Sequence, residues 1–326
     1  MRKILALTLV IIMIAGIVGC AFLPEDFTVC TVNFYIDGEL YETKTTFLGN
    51  TVGMPKFPSK ENQIFKGWYL QGTFARQYDF SDPVIANLDL HAEFVLDATK
   101  LTNMLTTETM KSVVTIYNKC YNTTMGGLVE LNSLTSQGSG VVFDIADGYC
   151  YVLTNAHVVF YDDKYSKQSI TVEDAWGNEF EAFIYQHYKS SQKAFDTSYD
   201  LAVIGFKYTN TESPNIEKIA VGDDPKVGDY VVSLGAPLNQ KNAITYGKVL
   251  TYDVISSSVD SAVSNVHFET ILHNALIDRG SSGGPLLNAA GELVGLNFAG
   301  YTDQKYGSAI PISKIHEFLS LYVYIK

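Results

Sequence analysis

Three short segments each place one reactive side chain at the edge of an apolar run: YVLTNAHVV carries His157, YDLAVIGF carries Asp200, and DRGSSGGPLLN carries Ser282. A serine hydroxyl is a weak nucleophile until a base takes its proton, and an imidazole that titrates near neutrality suits that task. The imidazole in turn needs a carboxylate to fix its tautomer and to stabilise the cation it becomes. Glycines around Ser282 let the backbone curl, so that the N–H groups of Gly280 and Ser282 can converge on one developing oxyanion. Each residue also has an ordinary reading, as a core or surface histidine, a turn aspartate or a flexible loop. The other five histidines (His91, His187, His267, His273 and His316) are read that way. Asp196 competes with Asp200 for the carboxylate role; Asp200 is preferred because it directly precedes the apolar strand.

The three candidates stand 43 and 82 residues apart, so only tertiary structure can bring them together. Around them the chain alternates short apolar segments with turns, and strands are expected at 112–118, 140–144, 149–154, 168–173, 179–185, 201–206, 229–234, 243–252, 266–272, 284–287, 292–298 and 307–312. A dozen short strands with no helices between them point to an all-β barrel or sandwich, not to βαβ units. A closing helix over 313–321 carries Ile315, Phe318 and Leu319 on one face. With 47% hydrophobic and 18% charged residues, the 326-residue chain is neither disordered nor a coiled coil. Its formal net charge of −12 removes the basic surface that nucleic-acid binding requires.

The N-terminal part has its own character. Arg2 and Lys3 precede an uncharged apolar run over 4–19, too short for a comfortable membrane span and suited to a signal-peptide core. Residues 27–36 and 39–47 read as two strands around the hairpin signal Asp37-Gly38. FKGWYL at 65–70, YDFSDPV at 78–84 and LDLHAEFV at 88–95 complete a unit over 27–97, in which Trp68, Tyr69 and Phe80 are expected core residues. Residues 98–111 lack Gly and Pro and read as a helical linker to a second domain over 112–326. Besides Cys20 the chain has Cys30, Cys120 and Cys150. A Cys120–Cys150 disulfide is open, with free buried thiols the simpler expectation. No CxxC or His-rich spacing exists, so neither metal nor cofactor is expected.

Three resemblances organise these readings. The run ending in Ile17-Val18-Gly19-Cys20 resembles the lipobox of bacterial lipoproteins, which implies removal of 1–19 and lipidation, palmitate included, at Cys20. That would hold the protein at the outer face of a membrane. Residues 28–96, through Gly67-Trp68-Tyr69 and Tyr78-Asp79-Phe80-Ser81, resemble the internalin B-repeat-like (Listeria-Bacteroides repeat) module, a small β-grasp-like unit. Residues 108–322 resemble trypsin-fold serine proteases of the HtrA (Deg) type, through GSGVVFDIADGYCYVLTNAHVV at 138–159, DLAVIGF at 200–206, VGDYVVSLGAPL at 227–238, GSSGGPLLNAAGELVGLNFAG at 280–300 and GSAIPIS at 307–313.

The last resemblance implies a double β-barrel and an endopeptidase acting on exported or surface polypeptides. In it Ser282 is the nucleophile, His157 the base and then acid, Asp200 the orienting carboxylate, and Gly280 and Ser282 the oxyanion-hole donors. Leu276, six residues before the nucleophile, is expected at the floor of the specificity pocket, with Ile277, Phe298 and Ala309 as apolar walls. A small or medium aliphatic residue is therefore expected before the cleaved bond. Ser281 stands where relatives activated by N-terminal insertion carry an aspartate, so that activation route is not expected. The few residues after the closing helix leave no expected PDZ domain. The alternative is a surface lipoprotein that uses an inactive or latent trypsin-like scaffold for binding or adhesion.

Overall fold

The structure, a computed structural model, describes residues 28–70, 77–186, 192–208, 215–235, 243–255, 263–301 and 306–323. The expected leader, Cys20 and His187 lie outside the described residues. No helix among the described residues is long and apolar enough to cross a membrane. The chain divides into two compact units, which change over near Val95 and Leu96.

The first unit is a four-stranded sheet in the order β2-β1-β4-β3, built from β1 (Val29–Ile36), β2 (Glu39–Phe47), β3 (Gln63–Leu70) and β4 (Leu88–Leu96). Asp37 and Gly38 have φ of 52° and 82°, the left-handed pair that matches the twist of a two-residue hairpin. One face of the sheet is apolar: Val32, Phe34 and Leu90 are fully buried, and Trp68 meets Phe34 edge-on at 4.9 Å. Phe80 packs against this cluster, whereas Tyr69 stays outside it.

The second unit begins with α1 (Ala98–Thr107), capped by Asp97, whose side chain accepts from the Lys100 amide. Leu101 and Leu105 of α1 have no solvent exposure and join the same core cluster as Leu293, Phe298 and Phe318. The segment expected as a linker is therefore part of the second unit, because its apolar stripe at i, i+4 has a barrel to bury against.

Two closed barrels follow. The first joins β5 (Val113–Thr124), β6 (Val129–Ala146), β7 (Tyr149–Thr154), β8 (Lys167–Glu173), β9 (Glu179–Ile184) and β11 (Leu201–Lys207), with the two-residue β10 (Phe195–Asp196) on the edge of β11. The second joins β12 (Tyr230–Gly235), β13 (Ala243–Asp253), β14 (Thr270–His273), β15 (Pro285–Leu287), β16 (Leu293–Tyr301) and β17 (Tyr306–Pro311), and ends in α2 (Ile312–Tyr322). The fold is thus an all-β trypsin-like double barrel. Six residues of β11, LAVIGF, are buried without alternation because both faces of that strand are covered. Two strands depart clearly from expectation: β5 runs on to Thr124 and β6 starts at Val129, the outer half of β6 being exposed on both faces as a ribbon with β5. A strand with no buried face has no apolar period to read.

Candidate active site

His157 and Asp200 come from the first barrel. Beyond β7 the chain makes one 3-10 turn, His157–Val159, whose two valines sink into the barrel core and leave the imidazole at 16% exposure. Asp200 sits just before β11 with φ of 50°, a left-handed conformation that aspartate tolerates better than most residues. Its carboxylate is fully buried. Oδ1 accepts from the His157 amide at 3.0 Å, and Oδ2 from His157 Nδ1 at 2.8 Å. An ionised carboxylate can only accept, so Nδ1 carries the hydrogen and Nε2 presents its lone pair. Asn155 Nδ2 donates to the Asp200 carbonyl at 2.9 Å, which ties the end of β7 to the aspartate turn.

Asp196, the competing carboxylate, does not face the imidazole. Its oxygens accept from the Ser198 amide and hydroxyl and from the Tyr322 hydroxyl. Burial pushes its carboxyl up, but these bonds outweigh burial and hold it below the ordinary aspartate value.

Ser282 lies in the glycine turn that leads into β15 of the second barrel, and this turn is laced to the first. The Ser139 amide donates to the Ser282 carbonyl at 2.8 Å, the Ser139 hydroxyl to the Gly280 carbonyl at 2.7 Å, and the Thr154 hydroxyl to the Ser139 carbonyl at 2.7 Å. The glycines permit this approach. A Cβ on Gly283 would stand 2.2 Å from the Ser139 carbonyl oxygen, and one on Gly138 would stand 2.5 Å from Val158 Cγ1 and 3.1 Å from the Ser282 carbonyl oxygen. Gly138 is therefore where the His157 turn and the Ser282 turn meet. Gly280 has φ of 95° at the third position of the turn closed by the Ser281 amide on the Asp278 carbonyl. The Ser281, Gly283 and Gly284 amides all donate, whereas among the described residues those of Gly280 and Ser282 do not. Neither amide is therefore committed to an acceptor among the described residues.

The residues expected to shape the specificity pocket separate into three groups. Leu276 is 58% exposed, so it does not form a buried floor; its neighbour Ala275 takes the inward position. Phe298 and Ala309 are fully buried, Phe298 in the core cluster shared by α1 and both barrels and Ala309 in the second barrel. Ile277 packs on two bare backbone positions: Cβ atoms on Gly300 and Gly307 would lie 3.3 and 2.7 Å from its side chain. His273, fully buried beside Gly307, has its imidazole pushed down to about 4 by desolvation and stays neutral. A cavity of about 390 Å³ opens beside His157, lined in part by Cys120, Leu134, Ser136 and Val263. Cys30, Cys120 and Cys150 are free and buried, so Cys120 and Cys150 do not pair. Among the described residues no cluster could hold a metal.

Sequence reading passed over three polar residues at this site: Ser139, Asn297 and Ser264. Ser139 lies between two glycines, a visible signal of close approach. Buried Asn297 braces the turn through Nδ2, which donates to the Ser233 hydroxyl and to the carbonyls of Gly284 and Pro285. Ser264 donates to Asp200 Oδ2 at 2.9 Å, from a stretch with no motif to mark it.

Two barrels with an imidazole–carboxylate pair on one and a glycine-cradled serine on the other define a trypsin-like peptidase domain. Residues 138–296 match the trypsin-like peptidase domain and residues 31–93 the Listeria-Bacteroides repeat domain. The chain carries both, and its peptidase part is homologous to the HtrA/DegP proteins. It is 32% identical over 182 residues to the putative serine protease HhoA of Synechocystis, covering 56% of this chain and 41% of that protein. Against a probable periplasmic serine endoprotease DegP-like of Buchnera aphidicola it is 33% identical over 184 residues, covering 55% and 35%. Among solved structures, the serine endoprotease from Yersinia pestis aligns with a TM-score of 0.46 at 24% identity, covering 68% of this chain and 65% of that one. The chain thus spans about two-fifths or less of the length of these curated relatives.

Proposed function

We propose that this protein is a serine endopeptidase that hydrolyses peptide bonds of exported or surface polypeptides. The observation that carries the reading is the 2.8 Å bond from His157 Nδ1 to buried Asp200, on a first barrel that is hydrogen-bonded through Ser139 to the Ser282 turn. In this reading His157 Nε2 takes the Ser282 hydroxyl proton as Oγ attacks the carbonyl carbon. The Gly280 and Ser282 amides receive the oxyanion. His157 then gives the proton to the departing amine as the C–N bond breaks. Water, activated by the same nitrogen, hydrolyses the acyl-enzyme and restores Ser282.

Ile277 over Gly300 and Gly307 leaves an apolar setting that suits a small or medium aliphatic residue before the cleaved bond and disfavours a cation. Removal of 1–19 and lipid on Cys20 would tether the mature protein outside the cytoplasm, in keeping with the one relative above whose name places it in the periplasm. Labelling with a fluorophosphonate tests the enzyme reading: folded protein is labelled and the Ser282→Ala variant is not. Folded wild-type protein that resists the probe and leaves unfolded casein intact would instead support the scaffold reading.

A further inference from the structure

The Asp200 carboxylate has no contact with solvent. A buried anion is stable only where donors surround it. His157 supplies two of them, its amide to Oδ1 and its Nδ1–H to Oδ2. The third comes from elsewhere. Ser264, 3% exposed, donates its hydroxyl to Oδ2 at 2.9 Å, onto the same oxygen that receives the imidazole. The next residue, Asn265, donates its amide to the Thr197 carbonyl at 2.8 Å. Both lie in the connection between β13 and β14, so a segment of the second barrel grips the aspartate turn of the first at the backbone and at the carboxylate.

We propose that Ser264 is a positioning residue that holds Asp200 Oδ2 on the imidazole of His157. With two donors on Oδ2 and one on Oδ1, rotation of the carboxylate about its Cβ–Cγ bond breaks at least one charge-assisted bond. Without Ser264 the oxygen facing the imidazole keeps a single donor, in a place where water has no surface access to substitute. The imidazolium formed during acylation then loses its fixed partner, and the loss falls on the chemical step, not on binding. This inference rests on the reading of His157, Asp200 and Ser282 as the reacting groups.

The test uses the full-length chain and a fluorophosphonate probe, with the maximal inactivation rate and the half-saturating probe concentration measured separately. Each rate is referred to the folded fraction from thermal unfolding. Ser264→Ala and Ser264→Val should lower the maximal rate by about tenfold, with half-saturation changed by less than about twofold. Ser264→Thr, which matches valine in shape and restores the hydroxyl, should return to within about threefold of wild type. The downfield proton resonance of the His157 Nδ1–H should sharpen in the Ser and Thr forms and broaden in the other two. Wild-type rates in the Ala and Val variants, or a Thr variant no better than Val, overturn the role of Ser264 and leave the triad reading standing. A wild-type protein that is folded yet unlabelled overturns both. If Ala and Val prevent folding, Ser264→Cys, with its weaker donor, replaces them: an intermediate rate supports the role and a wild-type rate overturns it.

Discussion

The hydroxyl of Tyr322, at the end of α2, donates to Asp196 Oδ2 at 2.6 Å, four residues before Asp200. Five residues earlier in the same helix, Glu317 accepts from the Tyr199 hydroxyl at 2.5 Å. These bonds push both phenols up to about 12 and fasten the aspartate turn to the helix that closes the second barrel. Asp196 is thus a fastening point for the turn, and the two carboxylates should separate on substitution. Asp200→Asn should cost about ten-thousandfold in kcat, because an amide cannot hold the Nδ1–H tautomer. Asp196→Asn should keep kcat within about threefold and lower stability by about 1 kcal/mol. Initial rates on labelled casein and thermal unfolding of both variants check the split.

Gly138 offers a test of how closely the two turns approach. Gly138→Ala should destabilise the protein by about 2–3 kcal/mol and slow labelling of Ser282, since the new methyl meets both Val158 methyls within 2.6 Å. Val158→Ala removes those methyls. A double-mutant cycle should therefore show favourable coupling of about 1 kcal/mol, with the double variant recovering part of the labelling rate. Strict additivity would show that the methyls are not the obstacle.

His273 should write its signature on the pH dependence of stability. Its imidazole is held down to about 4 in the folded protein, from an ordinary value of 6.5, first by desolvation. Between those values the unfolded chain binds the proton and the folded one does not, so stability is complete above about pH 6.5 and falls as the pH drops toward 4. The loss across that window is on the order of 3 kcal/mol. His273→Gln should flatten this part of the curve in urea titrations at a series of pH values.

Ile277 should set the size of the residue accepted before the cleaved bond. Ile277→Ala uncovers the backbone at Gly300 and Gly307. Relative kcat/KM for peptides with Leu or Phe at that position, against Val or Ala, should rise about tenfold, the ordinary value of one or two methylenes in an apolar pocket. A preference for Lys or Arg in the wild-type profile would remove the apolar-pocket argument.

Much of this molecule was legible in its sequence. The Asp37-Gly38 turn, the run of short strands and the three polar residues at strand ends are local patterns, and local patterns survive without knowledge of the fold. The outer half of β6 was hidden because a ribbon exposed on both faces carries no apolar period. The helix at 98–107 looked like a connector because its stripe of Leu101 and Leu105 is short, and only the barrel beneath it shows what that stripe covers.

The sequence by itself marked the three candidate side chains, their order and an all-β barrel or sandwich, since these depend on residue type and on spacing along the chain; the double barrel came from the resemblance to trypsin-fold proteases. Tertiary structure alone decided which carboxylate meets the imidazole, that Ile277 and not Leu276 lies on the bare glycines, and that Ser264 reaches Asp200 across 64 positions. The physical reason is that a hydrogen bond or a close glycine contact depends on distances set by strand pairing between remote segments. No local pattern records which remote segment will arrive.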